Sequence, residues 1–239
     1  MDNTKMFEYL KSKGVFNRND IETAVKATQP DFNIGNINFY ISSLIDNRAI
    51  ARIGTNRYVL NEKKELFDYE LSPAAKKIEE IISEKYPLIN FVVWETVQLN
   101  EFLNHLLAHN VIFVQVEKPL ADAVFDFLLA QFPGTVLFNP TNEDVSRYFT
   151  DNLVVVINLI SEAPKNIKNR HHLTIEALVV DLFSSKLLKG LINGGDYPLV
   201  LETISDNYII NADKMYRYAR RRNVEETIKA NIDHGAPGI

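Results

Sequence analysis

The chain contains no cysteine. This excludes disulfides and thiolate metal sites and fits a reducing compartment. Glycine is sparse, at nine of 239 residues, and no predicted strand runs into a Gly-rich loop that could cradle phosphate. No serine stands in a Gly-x-Ser-x-Gly turn, so the nucleophile elbow of a hydrolase is missing. No apolar run reaches the ~20 residues that a membrane-spanning helix needs. The first residues, Met1-Asp2-Asn3-Thr4-Lys5, lack the basic and apolar regions of a signal peptide. These absences lead us to expect a cytoplasmic protein without membrane association.

A strong charge of one sign is missing too. The chain has 26 Lys and Arg against 31 Asp and Glu, a net charge of −5. The balance is uneven. Residues 1–60 hold eight basic and six acidic residues, a net +2, which leaves −7 for residues 61–239. The larger part is therefore not expected to bind nucleic acid generally, although local basic patches exist. The 46% hydrophobic and 24% charged fractions are those of an ordinary globular chain with ample apolar content for a buried core.

Residues 1–62 carry the clearest order of elements. An amphipathic run follows Thr4 and stops at Gly14, and Val15-Phe16 forms a short apolar pair. Asn17 and Asn19 are both suitable caps for a helix over Asp20–Thr28, which Gln29-Pro30-Asp31 breaks. Asn33 can cap a third helix, in which Ile34, Ile37, Ile41, Leu44 and Ile45 form one apolar stripe. Ala49–Ile53 and Arg57–Leu60 flank Gly54-Thr55-Asn56 and predict a tight β-hairpin. Helix, short strand, helix, turn, helix, hairpin is the order of a winged helix-turn-helix. In that architecture the outward face of the third helix, here Asn36, Phe39, Ser42 and Ser43, enters the major groove of double-stranded DNA. Asn can bond adenine in a bidentate way and Phe can pack on a thymine methyl. Arg48, Arg52 and Arg57 around the hairpin are placed to reach phosphates.

Asn61–Glu65 is a polar run that marks a boundary, and Ser72-Pro73 opens a new helix. From there strands and helices alternate. Strands are predicted over Phe91–Trp94, Val111–Val116, Thr135–Phe138 and Leu153–Ile157. Helices are predicted over Leu99–His109, Leu120–Phe132 and Glu143–Phe149, the last capped by Asn142. The pattern predicts a mostly parallel α/β domain over residues 71–239. Its C-terminal part is helical, over Thr174–Leu188, Tyr197–Ser205, Ala212–Arg221 and Val224–Ile232.

Two stretches resemble the AbiEi-type antitoxins of type IV toxin–antitoxin pairs. They are Leu173-Thr174-Ile175-Glu176-Ala177-Leu178-Val179-Val180-Asp181-Leu182 and the Tyr-Ala-Arg-rich stretch Ala212–Arg222. The resemblance implies a winged helix that represses its own operon at a DNA operator. It implies a C-terminal part that opposes a nucleotidyltransferase-like toxin. Glu176 and Asp181 would fall in the signature helix, and Arg217, Arg220, Arg221 and Arg222 in the basic, partner-binding one. Many members carry lysine where this chain has Ala177.

Catalytic chemistry finds little support. Glu101, His105 and His109 are spaced for one helical face, but no further metal ligand can be named. His171-His172 reads as loop. Glu62-Lys63-Lys64 has a nuclease-like Glu-x-Lys spacing but lies in the boundary run, and Asn193-Gly194-Gly195-Asp196 lacks the Gly-Ser and paired Asp of nucleotidyl transfer. The expectation is a DNA-binding regulator with no catalytic residue, metal or cofactor. The competing readings are a nucleic-acid-processing enzyme anchored by the winged helix and a transcription factor whose second domain senses a ligand.

Overall fold

The computed structural model describes residues 4–47, 49–61, 64–103, 107, 109–166, 168–189 and 194–235. The chain is mixed α/β and divides into two compact units, residues 1–66 with 207–214 and residues 67–206 with 215–239.

The first unit begins with α1 (Thr4–Lys13), β1 (Val15–Phe16) and α2 (Arg18–Thr28). Asn17 caps α2: its side chain accepts from the N–H groups of Asn19 and Asp20, while Asp20 accepts from the Asn17 N–H. This reciprocal capping box satisfies donors that a helix start otherwise leaves unpaired. Asn33 caps a 3₁₀ turn, Ile34–Asn36, which leads directly into α3 (Ile37–Asp46). β2 (Ile50–Gly54) and β3 (Arg57–Leu60) follow as an antiparallel hairpin, with Asn56 in the left-handed region at φ 54°. Asparagine tolerates that conformation better than most residues. β1 pairs with the far side of β3, so the three-stranded sheet has the order β1-β3-β2. Met6, Leu10, Phe16, Ile21, Val25, Ile37, Ile41 and Leu44 form one core between the helices and this sheet. The segment at residues 207–214 joins the unit through Glu65, whose N–H donates to Asn207 and whose carbonyl accepts from Ile209.

The second unit is built on a four-stranded sheet of β4 (Phe91–Glu95), β5 (Val111–Glu117), β6 (Val136–Phe138) and β7 (Leu153–Leu159) in the order β4-β5-β7-β6. The β5–β7 and β6–β7 pairs are parallel and the β4–β5 pair is antiparallel, so the sheet is mixed. The reason lies between β4 and β5. Among the described residues the predicted helix over Leu99–His109 is not found; a 3₁₀ segment, Thr96–Phe102, stands at its start and Leu103 is already extended. The described residues of this connection hold no crossover α-helix, and the chain returns antiparallel. Asparagines divert the backbone there: Asn100 accepts from the Leu107 N–H and Asn110 from the Val97 N–H.

One face of the sheet is covered by α4 (Pro73–Lys85) and α5 (Ala121–Gln131), which pack against Phe91, Val93, Ile112, Val114, Val116, Val154 and Val156. α6 (Asn142–Arg147), capped by Thr141 rather than Asn142, connects β6 to β7. α7 (Ile175–Ser184) meets the other face and is buried at every position from Ile175 to Phe183. A helix apolar nearly all round belongs in a core. Helical structure resumes as α8 (Lys186–Lys189), α9 (Tyr197–Asn207), α10 (Ala212–Arg221) and α11 (Glu225–Gly235). The single helix predicted over Thr174–Leu188 is therefore broken, at Ser185, whose backbone is extended.

The β4 edge is covered from within the chain. The Val93 N–H donates to the His171 carbonyl at 2.8 Å, and the Tyr69 hydroxyl donates to the Val93 carbonyl at 2.8 Å. His171 stacks on Phe91 and His172 on Tyr69. The His171 Nδ1–H donates to the Phe91 carbonyl while Nε2 accepts from Arg170, which fixes one neutral tautomer. Burial, aided by the charge of Arg170, holds His171 below the usual histidine value. Both nitrogens are thus committed to structure.

Candidate nucleic-acid interface and a buried polar site

The first unit presents the side chains named from the sequence on the outer face of α3. Ile37, Ile41 and Leu44 point into the core. Asn36, Phe39 and Ser42 are exposed, Ser43 is half-buried, and Phe39 is 80% accessible. An aromatic ring left so open in the first turn of the helix has no packing role within its own unit. Arg52 and Arg57 are exposed on the β2–β3 hairpin, with Arg52 Nε donating to the Gly54 carbonyl at 3.1 Å. Arg48 lies outside the described residues.

Asp213 meets the same hairpin. Its carboxylate accepts from the Thr55 backbone N–H and lies so close to Gly54 that a Cβ there would come within 2.9 Å of its Oδ2. The Thr55 N–H, with the charges of Arg57 and Arg52, holds Asp213 below the usual carboxylate range. The hairpin tip is therefore an anion site in which a carboxylate of this chain already sits.

The second unit contains a polar cluster inside an apolar shell. Asp181 projects from α7 and is 4% exposed. Its Oδ1 accepts from the Tyr218 hydroxyl at 3.0 Å and lies 3.6 Å from Arg222 Nε; its Oδ2 accepts from Gln115 Nε2 at 3.2 Å. Arg222 Nε also donates to Ser184 Oγ at 2.8 Å. Burial pushes the Asp181 carboxyl up, against the opposing pull of Arg222, Tyr218 and Gln115. Gln115 reaches Asp181 because β5 alternates: Ile112, Val114 and Val116 face α4 and α5, and Gln115 faces α7.

The four C-terminal arginines therefore divide. Arg217, Arg220 and Arg221 are exposed, Arg220 pairing with Glu225 at 3.1 Å and Arg221 donating to Ser161 at 3.0 Å. Arg222 turns inward to Asp181, with its side chain 19% exposed. Of the residues spaced for a metal, His105 lies outside the described residues, Glu101 is in the 3₁₀ segment, and His109 packs its ring 4.1 Å from that of Phe149. Glu62 and Lys63 of the Glu-x-Lys spacing and Asn193 of the glycine turn also lie outside the described residues.

Two adjoining cavities open near the Asp181 cluster. One, of about 300 Å³, is lined by Gln115, Asn139, Asn158, Asp181, Lys186, Tyr218 and Arg222, among others. The second, of about 710 Å³, shares Asn158 and Ile160 with it and is lined by Lys118, Lys165, Arg170 and Arg221. Both lie toward the carboxyl ends of the parallel strands, where open α/β sheets characteristically bind ligands. Sequence reading missed Gln115, Tyr218 and Asp213. Gln115 had a signal, as the one polar residue inside Val111–Val116. Asp213 had none, because its partner is 158 residues away.

The sequence pattern of a family of unknown function, DUF6577, matches residues 36–237, and the chain belongs to that family. No curated protein matches it.

Proposed function

We propose that residues 1–62 act as a winged helix-turn-helix that binds double-stranded DNA, and that the protein regulates transcription. The observation that carries this reading is Phe39, 80% exposed in the first turn of α3 beside the exposed Asn36 and Ser42. An apolar and amide-bearing helix face suits thymine methyls and adenine edges. The hairpin follows α3 directly, and its exposed Arg52 and Arg57 suit phosphate contacts. The test is anisotropy titration of the full chain with duplex DNA from upstream of its own gene and with an unrelated duplex. Replacing Asn36 and Phe39 together with Ala weakens specific binding more than non-specific binding. Equal losses on both duplexes, or no binding by the intact protein at low salt, would sink the reading.

The likeness of Leu173–Leu182 and Ala212–Arg222 to AbiEi-type antitoxins extends this proposal. The DNA is then the operator of the protein's own operon, and the second unit opposes a nucleotidyltransferase-like toxin. The exposed Arg217, Arg220 and Arg221 of α10 favour an acidic partner surface. Co-expression with a neighbouring nucleotidyltransferase-like gene tests this: rescue of growth supports it, and unrelieved toxicity rejects it.

A further inference from the structure

Arg222 does not use its whole guanidinium inside the protein. Its contacts to Asp181 and Ser184 both leave from Nε. Among the described residues its two terminal amino groups meet no protein acceptor. Arg222 nevertheless lines the cavity of about 300 Å³ with its side chain 19% exposed. Facing the cavity, those amino groups are free to donate, and a planar fork of this kind is shaped for two oxygens of one anion.

The rest of the wall agrees with an anion. Lys186 adds a second cation to Arg222 against the single carboxyl of Asp181. Gln115, Asn139 and Asn158 bring amides, and Asn139 holds the left-handed conformation, φ 44°, just after β6. Past Asn158 and Ile160 the second cavity presents Lys118, Lys165, Arg170 and Arg221 against Glu117 and Glu162. The first cavity is too small for nucleic acid, and together the two suit a compact anion with an organic body.

We propose that the second unit binds a small phosphorylated molecule, with its phosphoryl group on the terminal amino groups of Arg222 beside Lys186. The body of the molecule extends past Asn158 and Ile160 into the larger cavity. The phosphoryl oxygens accept from Arg222 and the wall amides, and no bond is made or broken. This site is independent of the DNA-binding reading.

The experiment is thermal unfolding and calorimetric titration of the intact protein with inorganic phosphate, adenosine 5′-monophosphate and adenosine, at ionic strength matched with chloride. Saturating adenosine monophosphate raises the unfolding midpoint by about 3 °C or more. It binds about 10-fold or more tighter than inorganic phosphate, and adenosine does not bind. Arg222→Lys, which keeps the charge but loses the fork, weakens binding about 10-fold. Because Arg222 also supports Asp181, Asn158→Asp serves as a second variant. It leaves Arg222 in place, sets a carboxylate against the ligand and abolishes binding. A wild-type midpoint that responds to none of the phosphates beyond chloride overturns the site, as does undiminished binding by folded Asn158→Asp. Equal affinity for phosphate and adenosine monophosphate overturns the extension into the larger cavity.

Discussion

Asp213 accepts a hydrogen bond from the backbone N–H of Thr55, 158 residues earlier in the chain. The contact brings a carboxylate within the electrostatic reach of Arg57 and Arg52, the side chains proposed to meet DNA phosphates. Asp213→Asn keeps an acceptor for Thr55 and removes the charge. The full chain then binds duplex DNA about 3- to 10-fold more tightly at low salt, with a steeper dependence on salt. An unchanged or weaker affinity in an anisotropy titration refutes the link.

The same carboxylate has a pH signature. Its value in the folded state is depressed. Its stabilising contribution is therefore present above the unfolded-state value of about 3.9 and is lost as pH falls through the lower folded value. Denaturant titrations from pH 6 down to pH 2 should show a shallower acid loss for Asp213→Asn than for the wild type.

Asp181 has the opposite sign. Burial raises its folded-state value. Its contribution is full below about pH 3.9 and fades as pH rises through the raised value. The stability of the wild type relative to Asp181→Asn consequently falls as pH rises above about 4, and the variant shows a flatter profile in denaturant titration. A difference that grows with pH contradicts this assignment.

Glu95 is fully buried and accepts from the Ser72 N–H at 2.8 Å and from Asn110 Nδ2 at 2.6 Å. It also caps the 3₁₀ segment by accepting from the Gln98 N–H. Glu95→Gln places an amide donor among donors. The variant loses about 1–3 kcal/mol of stability, measured by chemical denaturation.

The arginines near the C-terminus separate by role. Replacing Arg217, Arg220 and Arg221 together with Gln leaves the unfolding midpoint nearly unchanged, because these side chains are exposed. Arg222→Gln removes the bond to Ser184 and the cation beside the buried Asp181 carboxyl, and it lowers the unfolding midpoint. Differential scanning calorimetry of the two variants distinguishes them. Early unfolding of the triple variant would make the exposed face structural and remove it as a partner surface.

Local chemistry made much of this architecture legible in advance. Asn17 and Ser72 cap helices because a short polar side chain there can reach backbone N–H groups within three residues. The hairpin about Gly54-Thr55-Asn56 and the apolar strands β5 and β7 were readable for similar reasons. The failures were non-local. The direction of β4 depends on whether residues 96–110 complete a crossover, and asparagine bonds within that loop decide it. Helical spacing around Leu99–His109 could not reveal those bonds. The polar cluster was half legible: Asp181 was noted by resemblance, whereas its burial, its union with Gln115 and the inward turn of Arg222 arise only when α7 is laid across the sheet. Arg222 and Arg221 are neighbours in sequence and differ in fate because one side chain finds a buried carboxyl and the other finds Ser161.

The covering of β4 bears on what the strand edge can do while the protein folds. Phe-Val-Val-Trp-Glu is a short, β-prone segment, the kind that templates pairing between chains. Its outer polar groups at Val93 are occupied by the His171 carbonyl and the Tyr69 hydroxyl of the same chain. Until the 170–173 loop docks, that edge is open to another molecule's strand. Lesions in this loop should therefore be felt first as self-association of a protein whose core is otherwise intact.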